Sequence, residues 1–146
     1  IAGKPWENDF TSYQKIIDEN DLYNHCLLHT KFIAHEDVEH YYCAADLVIL
    51  PYKKIYQSGV LVMTLSYGKP ALVSELPPLK EVVTDMETAF LFETENPVSL
   101  SNKLNSILSN PASIEEVRKK GEELINTKYD WSEIGKQTKR AYQSLD

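Results

Sequence analysis

The chain has 146 residues, of which 42% are hydrophobic and 25% charged, and its formal net charge at pH 7 is -7. This length suits one domain with a real hydrophobic core, and the composition excludes a collagenous or disordered protein. Arg118 and Arg140 are the only arginines, so the dense basic face that nucleic acid binding requires is missing. We therefore expect no nucleic acid partner, and any anion site must rely largely on main-chain groups.

Cys26 and Cys43 show neither the spacing of a zinc site nor that of a disulfide framework. We expect both cysteines to be reduced and buried, and we expect no metal site. Apolar runs such as residues 47–51 are far shorter than the roughly 20 residues that a membrane span requires. Because no signal peptide is visible either, the sequence predicts a cytoplasmic protein.

Apolar runs of strand length alternate with helical patterns, the order expected of a parallel sheet covered by helices. In chain order the patterns predict a helix over about 9–19, a strand at 26–29, a helix at 36–44, a strand at 46–50, a buried helix at 59–67, a strand at 71–73, a short helix at 79–84 and a strand at 89–92. The remaining patterns are helical, at 98–108, 114–125 and 131–145. Together they predict an α/β fold with a helical C-terminal tail.

The most informative stretch is the loop between the strand that ends before Pro51 and the buried helix. In an open α/β sheet, ligands lie beyond the carboxyl ends of the strands, where loops and helix N-termini meet. This loop ends in Ser58-Gly59. A glycine lets a ligand approach the backbone closely, and the free N–H groups of a first helical turn favour an anion such as diphosphate. The alternative is that Ser58 is only a helix cap, bonded to the N–H of Val60 or Leu61.

Three further residues of this stretch have two interpretations each. The hydroxyl of Thr64, inside an apolar helix, either bonds the carbonyl one turn earlier or serves a ligand. Lys53 and Lys54 either attract phosphate or are simply solvated. The residue types alone leave these alternatives open.

Several weak motifs in one order resemble the C-terminal domain of the group 1 (family 4-like) glycosyltransferases, retaining enzymes with the two-Rossmann-domain GT-B fold. They are Phe32-Ile33, Tyr42-Cys43-Ala44-Ala45-Asp46, the strand ending at Pro51, Ser58-Gly59 through Gly68-Lys69-Pro70, Glu81-Val82-Val83, residues 91–97 and Tyr129-Asp130-Trp131. The resemblance covers nearly the whole chain. It implies a Rossmann-like three-layer parallel sheet, a single nucleotide-sugar-binding domain over residues 1–146, and a core position for Trp131.

The resemblance also implies a donor site without an assigned catalytic residue. The donor-binding residues would be Tyr56, Gln57, Ser58, Gly59, Val60, Thr64 and Ile33. The backbone of residues 57–60 would hold the diphosphate of a nucleotide-sugar, the nucleoside would lie near Ile33, and Trp6 would either line the nucleotide cleft or pack on the surface. No cofactor and no essential metal are expected, because helix dipoles and basic side chains stabilise the leaving diphosphate in this family.

Three departures from the family pattern bear on this site. Tyr56 and Thr64 stand where many members have the glutamates of a Glu-x7-Glu motif, the first near the donor sugar and the second on the ribose hydroxyls. A threonine hydroxyl bonds a ribose hydroxyl more weakly than a carboxylate does, whereas Tyr56 could pack against the sugar. Pro77-Pro78 replace a Gly-Gly pair and remove two backbone donors.

The resemblance implies the donor-binding part of a retaining glycosyltransferase that transfers a sugar from a nucleotide-sugar to a glycan or lipid-linked acceptor. Residues 1–3 resemble the end of a strand, so we expect the start of this domain and an N-terminal acceptor domain, its partner, to be absent, and the chain alone to be inactive. A role in polysaccharide biosynthesis and peripheral membrane association through that domain are further expectations. Two alternatives stay open: a noncatalytic nucleotide-binding or interaction domain, and a GT-B-fold sugar-nucleotide epimerase.

Overall fold

The computed structural model describes residues 1–5 and 9–144 and divides the chain into two compact units, Ile1–Ala44 and Ala45–Asp146. Trp6 lies outside the described residues. None of the described helices is long and apolar enough to cross a membrane.

The first unit contains two helices, α1 (Thr11–Glu19) and α2 (His35–Ala44). The strand predicted at 26–29 is wrong, since this segment forms only an isolated parallel bridge between His29 and Ala2. The His29 N–H donates to the Ile1 carbonyl at 2.9 Å, and the Gly3 N–H donates to the His29 carbonyl at 3.0 Å. The strand pairing ends at this bridge for two reasons. Gly3 turns the chain with φ of 128°, and Pro5, two residues later, has no N–H to donate.

The second unit is built on a parallel sheet of three strands, β1 (Val48–Leu50), β2 (Ala71–Ser74) and β3 (Phe90–Phe92), in the order β1-β2-β3. Ile49 lies beside Leu72, and Val73 lies beside Leu91. Helix α3 (Gly59–Ser66) connects β1 to β2, and the short α4 (Pro77–Lys80) connects β2 to β3. These helical connections are what parallel neighbours require.

Strands β2 and β3 are buried on both faces, as continuous apolar strands predict, whereas Ile49 of β1 is exposed. On one face Val73 packs with Leu65 of α3. On the other face Leu72 packs with Ile107 and Val117, which belong to the helices α5 (Pro97–Leu108) and α6 (Pro111–Lys128). Helices therefore cover the sheet on both sides, which confirms the predicted three-layer α/β fold.

The free edge of β3 is closed by side chains and a turn rather than by another strand. Along this edge the Ala89 N–H donates to the Thr84 carbonyl at 3.3 Å, and the Leu91 N–H donates to Asp85 Oδ1 at 2.8 Å. The Glu93 N–H donates to Ser99 Oγ at 3.0 Å. Because its outward donors are satisfied in this way, β3 does not offer a pairing edge to a further strand.

Helix α6 approaches the rest of the unit closely at Gly121. A Cβ atom at this position would lie 2.8 Å from the Thr88 carbonyl oxygen and 2.9 Å from Leu65 Cδ2. These distances are shorter than ordinary van der Waals contact, so only a glycine fits here without a shift of α3 or of the turn before β3. Gly121 thus sets the distance at which α6 packs against α3 and against the turn before β3.

The C-terminal helix α7 (Trp131–Gln143) confirms the predicted helical tail, but Trp131 is not a core residue. Its side chain is 84% exposed. The carboxylate of Asp130 caps α7 by accepting from the N–H groups of Ser132 and Glu133, so Trp131 is the first helical residue. None of the described residues of α7 is buried, and the family-derived expectation for Trp131 is therefore wrong in this structure.

Two smaller expectations also differ from the structure. The helix predicted at 79–84 lies at Pro77–Lys80, because the two prolines occupy its first positions, where a missing N–H does no harm. Cys26 and Cys43 are not joined in a disulfide, and Cys26 is half-buried while Cys43 is exposed. Burial of these cysteines was the wrong expectation.

Candidate functional site

The carboxyl ends of the three parallel strands meet at one edge of the second unit, which is where ligands bind in open α/β sheets. The loop after β1, residues 51–58, is here called the donor loop, and it leads directly into α3. Residues 93–96, the β3–α5 loop, follow the carboxyl end of β3. The predicted diphosphate-binding residues therefore lie at the edge where the fold places ligand sites.

The first turn of α3 presents main-chain donors that no described residue uses. Ser58 caps the helix, because its Oγ accepts from the Leu61 N–H at 3.0 Å, and its carbonyl accepts from the Val62 N–H at 3.3 Å. The N–H groups of Gly59 and Val60 donate to no acceptor in the described part of the chain. The capping interpretation of Ser58 is thus correct, and it leaves two N–H groups open to a ligand.

Gly59 has open space where a side chain would begin. A Cβ atom built on it would meet no heavy atom within 4 Å. Gly59 and Val60 are both exposed, so an anion can reach their N–H groups from solvent. The positive end of the α3 dipole points in the same direction.

The other described helices of the second unit offer less to an anion at their N-termini. Helices α4, α5 and α6 each begin with proline, which removes donors from the first turn. Helix α7 is capped by the Asp130 carboxylate, which repels an anion. Helix α3 has neither proline nor an acidic residue in its first turn, and this makes it the best anion-binding start in the unit.

Two side chains of the donor loop pack on the hydrophobic core, and most of its other side chains are exposed to solvent. Tyr52 and Ile55 pack against the core cluster beneath the loop, while Gln57 is exposed. Tyr56 is 79% exposed, and the Lys54 ammonium lies over its ring at 5.5 Å from the centroid. An exposed aromatic ring just before an anion-binding helix start is a suitable surface for the apolar face of a sugar.

Thr64 has no exposed surface in this structure. Its side chain is fully buried, and its hydroxyl donates to the Val60 carbonyl at 2.7 Å. Of the two interpretations that the sequence left open, the bond to the preceding turn is therefore the one present. A ribose contact of Thr64 stays a prediction, and it is the least accessible of the predicted contacts.

Ile33 is half-buried in the first unit, whereas the donor loop belongs to the second. Its predicted proximity to the nucleoside stays a prediction. Among the described residues, no group of His, Cys, Asp or Glu side chains could hold a metal ion.

An ion pair that no sequence pattern indicates joins two loops of the carboxyl edge. Lys53 Nζ of the donor loop lies 3.3 Å from Glu95 Oε1 of the β3–α5 loop. Glu95 adopts a left-handed backbone conformation with φ of 60°, and the neighbouring Thr94 Oγ1 is buried without a described hydrogen-bond partner. Neither a non-glycine left-handed residue nor a contact between residues 53 and 95 follows from local sequence patterns.

A cavity of about 390 Å³ lies along the closed edge of β3, and its lining includes Glu75, Lys80, Asp85, Leu91, Phe92 and Lys103. Its two lysines are already paired, Lys80 with Glu75 at 2.6 Å and Lys103 with Asp85 at 3.0 Å, and Glu93 adds a further negative charge to the lining. The lining contains no residue of the donor loop. The first turn of α3 therefore remains the better candidate for an anionic ligand.

A parallel three-layer α/β sheet with an exposed helix N-terminus at its carboxyl edge defines the class of Rossmann-like ligand-binding domains. The family model "Glycosyl transferases group 1" matches residues 1–124 of this chain. The chain belongs to this glycosyltransferase family.

Individual relatives agree with this membership. The chain is 29% identical over 86 residues, 59% of its length and 23% of the relative's, to a phosphatidyl-myo-inositol mannosyltransferase of Mycobacterium leprae. Among solved structures it resembles sucrose-phosphate synthase of Thermosynechococcus elongatus, with a TM-score of 0.83 and 23% identity over 98% of this chain and 37% of that one.

HepE of Anabaena, solved in complex with UDP and glucose, has a TM-score of 0.85 to this chain at 20% identity. The match covers 98% of this chain and 39% of HepE. At such identities the two solved structures establish the GT-B-type fold alone. The chain spans well under half the length of all three of these proteins.

Proposed function

We propose that this chain is the donor-binding part of a retaining glycosyltransferase and that the first turn of α3 binds the diphosphate of a nucleotide-sugar. The observation that carries this proposal is the pair of open N–H groups at Gly59 and Val60. Family membership and the UDP bound to the related HepE support it. The acceptor would be a glycan or a lipid-linked acceptor molecule, in polysaccharide biosynthesis.

The proposed chemistry follows from charge. When the bond between the sugar and the diphosphate breaks, negative charge grows on the leaving diphosphate. Preformed N–H donors and the positive end of a helix dipole stabilise such charge without reorganising. The site therefore needs no essential divalent metal in this proposal, and retention at the anomeric carbon is inferred from the family.

Each predicted donor-binding residue has a distinct role in this proposal. The backbone of Gln57, Ser58, Gly59 and Val60 surrounds the diphosphate, and the exposed ring of Tyr56 lies against the sugar. The proximity of Ile33 to the nucleoside stays a prediction, and Thr64, whose buried hydroxyl donates to the Val60 carbonyl, supports α3 without a contact to the ligand in this proposal. A cytoplasmic location and peripheral membrane association of the full-length protein stay predictions.

A noncatalytic nucleotide-binding domain is the second candidate, and the burial of Thr64 favours it. Neither Tyr56 nor Thr64 supplies the carboxylate found at these positions in many family members, and the Thr64 hydroxyl is already bonded within α3. Both candidates bind a nucleoside diphosphate, so they differ in turnover. Transfer or hydrolysis of a nucleotide-sugar by the full-length protein would decide for the enzyme, and we expect this chain alone to show none.

The binding step is tested by the substitution Gly59→Asp. A carboxylate at the start of α3 repels a diphosphate, while it does not oppose the helix dipole. Because nothing lies within 4 Å of the Cβ position, the variant is expected to fold normally. We expect calorimetric titration with UDP, GDP and ADP to show at least about tenfold weaker binding of the preferred nucleotide, which corresponds to about 1.4 kcal/mol.

The matched control is Gly135→Asp, which adds the same charge within α7. A Cβ atom at Gly135 also meets nothing within 4 Å, so the two substitutions are sterically comparable. We expect the control to bind as the unmodified chain does. Equal affinities in all three proteins would place the diphosphate elsewhere and contradict the proposal.

A further inference from the structure

The ion pair between Lys53 and Glu95 spans the carboxyl end of the middle strand. Lys53 follows β1 and Glu95 follows β3, and β2 lies between these two strands. Since neighbouring strands are about 4.8 Å apart, the two loops start about 10 Å apart. Two long side chains are needed to cover this distance, and their charged atoms meet at 3.3 Å.

The backbone at Glu95 is held in a conformation that its residue type disfavours. A non-glycine residue with φ of 60° is conformationally strained, and such residues concentrate where the surrounding structure holds them in place. The β3–α5 loop is fixed on its other side, because Glu93 Oε2 accepts from the Asn96 Nδ2 group at 2.7 Å and Asn96 caps α5. The loop that carries Glu95 is therefore firmly placed.

The donor loop has fewer fixed points above the core. Tyr52 and Ile55 pack beneath it, while Lys53, Lys54, Tyr56 and Gln57 are all exposed. The Lys53–Glu95 pair is an ionic contact between this loop and the β3–α5 loop. Because the ion pair restrains Lys53, it also limits the movement of the donor loop and therefore of the N–H groups of Gly59 and Val60 that follow it.

We propose that Glu95 is a positioning residue that, through Lys53, holds the donor loop in the conformation that presents the first turn of α3 to a nucleoside diphosphate. The ligand contact rests on the proposed function, whereas the ordering of the loop does not. The side chains are 79% and 60% exposed, so the pair contributes little to global stability. Its effect is on the population of the binding-competent loop.

The test uses the neutral variants Glu95→Gln and Lys53→Gln and the charge-reversed double variant Lys53→Glu/Glu95→Lys. Amide hydrogen exchange of residues 52–59 is measured without ligand, and the affinity for UDP, GDP and ADP is measured by calorimetry. We expect both single variants to exchange faster in this segment and to bind the preferred nucleotide about two- to fivefold more weakly. The double variant should recover most of both losses, and the melting temperature should stay the same.

Two controls separate this role from general effects. Glu116→Gln neutralises another exposed pair, in which Lys120 Nζ lies 2.8 Å from Glu116 Oε1 on α6, and it should change neither readout. Glu95→Asn removes the charge but suits a left-handed backbone, so it should resemble Glu95→Gln if the charge is what matters.

Unchanged exchange of residues 52–59 in Glu95→Gln would overturn the proposal. Tighter nucleotide binding by Glu95→Gln would overturn it as well, because Glu95 would then compete with the ligand for Lys53. Faster exchange in a protein that binds none of the three nucleotides would support the ordering of the loop while contradicting the proposed function. The two ideas can thus fail separately.

Discussion

Ser58 and Gly59 have complementary roles at the start of α3. The Ser58 hydroxyl satisfies the third N–H group of the helix, and Gly59 leaves open space where a side chain would begin, next to the first two N–H groups. A larger residue at position 59 would fold equally well but would occupy the place of a ligand. In this proposal the diphosphate is bound by main-chain atoms rather than by charged side chains. This suits an acidic chain that contains only two arginines.

Thr64→Val tests whether the threonine hydroxyl serves a ligand. Valine has nearly the same shape, and the hydroxyl it replaces is buried and bonded only to the Val60 carbonyl. We expect the melting temperature to change little and the affinity for the preferred nucleoside diphosphate to stay the same. Calorimetry on the folded variant checks this, and weaker binding at an unchanged melting temperature would restore the ribose contact.

Among the secondary-structure elements, α6 is the one whose position is set by a single residue. Gly121→Ala places a Cβ atom 2.8 Å from the Thr88 carbonyl oxygen, and overpacking of this kind costs typically 1–3 kcal/mol. The gain in helix propensity, up to about 1 kcal/mol, offsets only part of this cost. We expect a melting temperature a few degrees lower in thermal unfolding.

Gly135→Ala is the matched control for this change. It makes the same substitution in a helix, but nothing lies within 4 Å of its Cβ position. Only the propensity gain remains, so this variant should melt at the same temperature as the unmodified chain or above it. If both alanine variants were stabilised to the same extent, the close approach at Gly121 would not exist in solution.

The exposed side of α6 carries an ion-pair network that gives stability a pH dependence. Two hydrogen bonds from Arg118 hold the pKa of Glu115 well below its usual range, at about 2. A lowered folded-state pKa means that the stabilisation is complete above the unfolded value of 4.5 and is lost as the pH falls towards 2. In the unfolded chain the Glu115 carboxylate therefore takes up its proton at a higher pH than it does in the folded chain.

Thermal unfolding of the unmodified chain and of Glu115→Gln between pH 3 and 6 measures this contribution. We expect the unmodified chain to melt higher at pH 6 and the difference to shrink as the pH falls below about 4.5. A difference that stays constant down to pH 3 would show that Glu115 is not the titrating group.

For the whole molecule, the sequence predicted what depends on local periodicity and failed where distant contacts decide. The alternation of apolar strands and helices from residue 46 onwards was confirmed, because burial on both faces of a parallel sheet leaves a strong local pattern. The strand at 26–29 was wrong because a strand needs a partner, and Pro5 interrupts the one that Ala2 begins. Trp131 was placed in the core by analogy, whereas its own helix leaves it exposed.

In the candidate site, too, the features set by local sequence could be predicted and the features set by distant contacts could not. The Ser-Gly helix start and the loop before it could be predicted, because capping and glycine preferences act within a few residues. The Lys53–Glu95 pair joins residues far apart in the chain through a left-handed backbone at Glu95, and no periodic pattern encodes such a contact. The burial of Thr64 likewise depends on how α3 lies against the sheet.

The most direct test of the central claim is an NMR titration of the isotope-labelled chain with UDP, GDP and ADP, followed at assigned backbone amides. If the first turn of α3 binds the diphosphate, the amides of Gly59 and Val60 should show the largest saturable shifts, and in Gly59→Asp the Val60 shift should need at least about tenfold more nucleotide to saturate. Saturable shifts confined to other segments, or none at millimolar nucleotide, would contradict the claim.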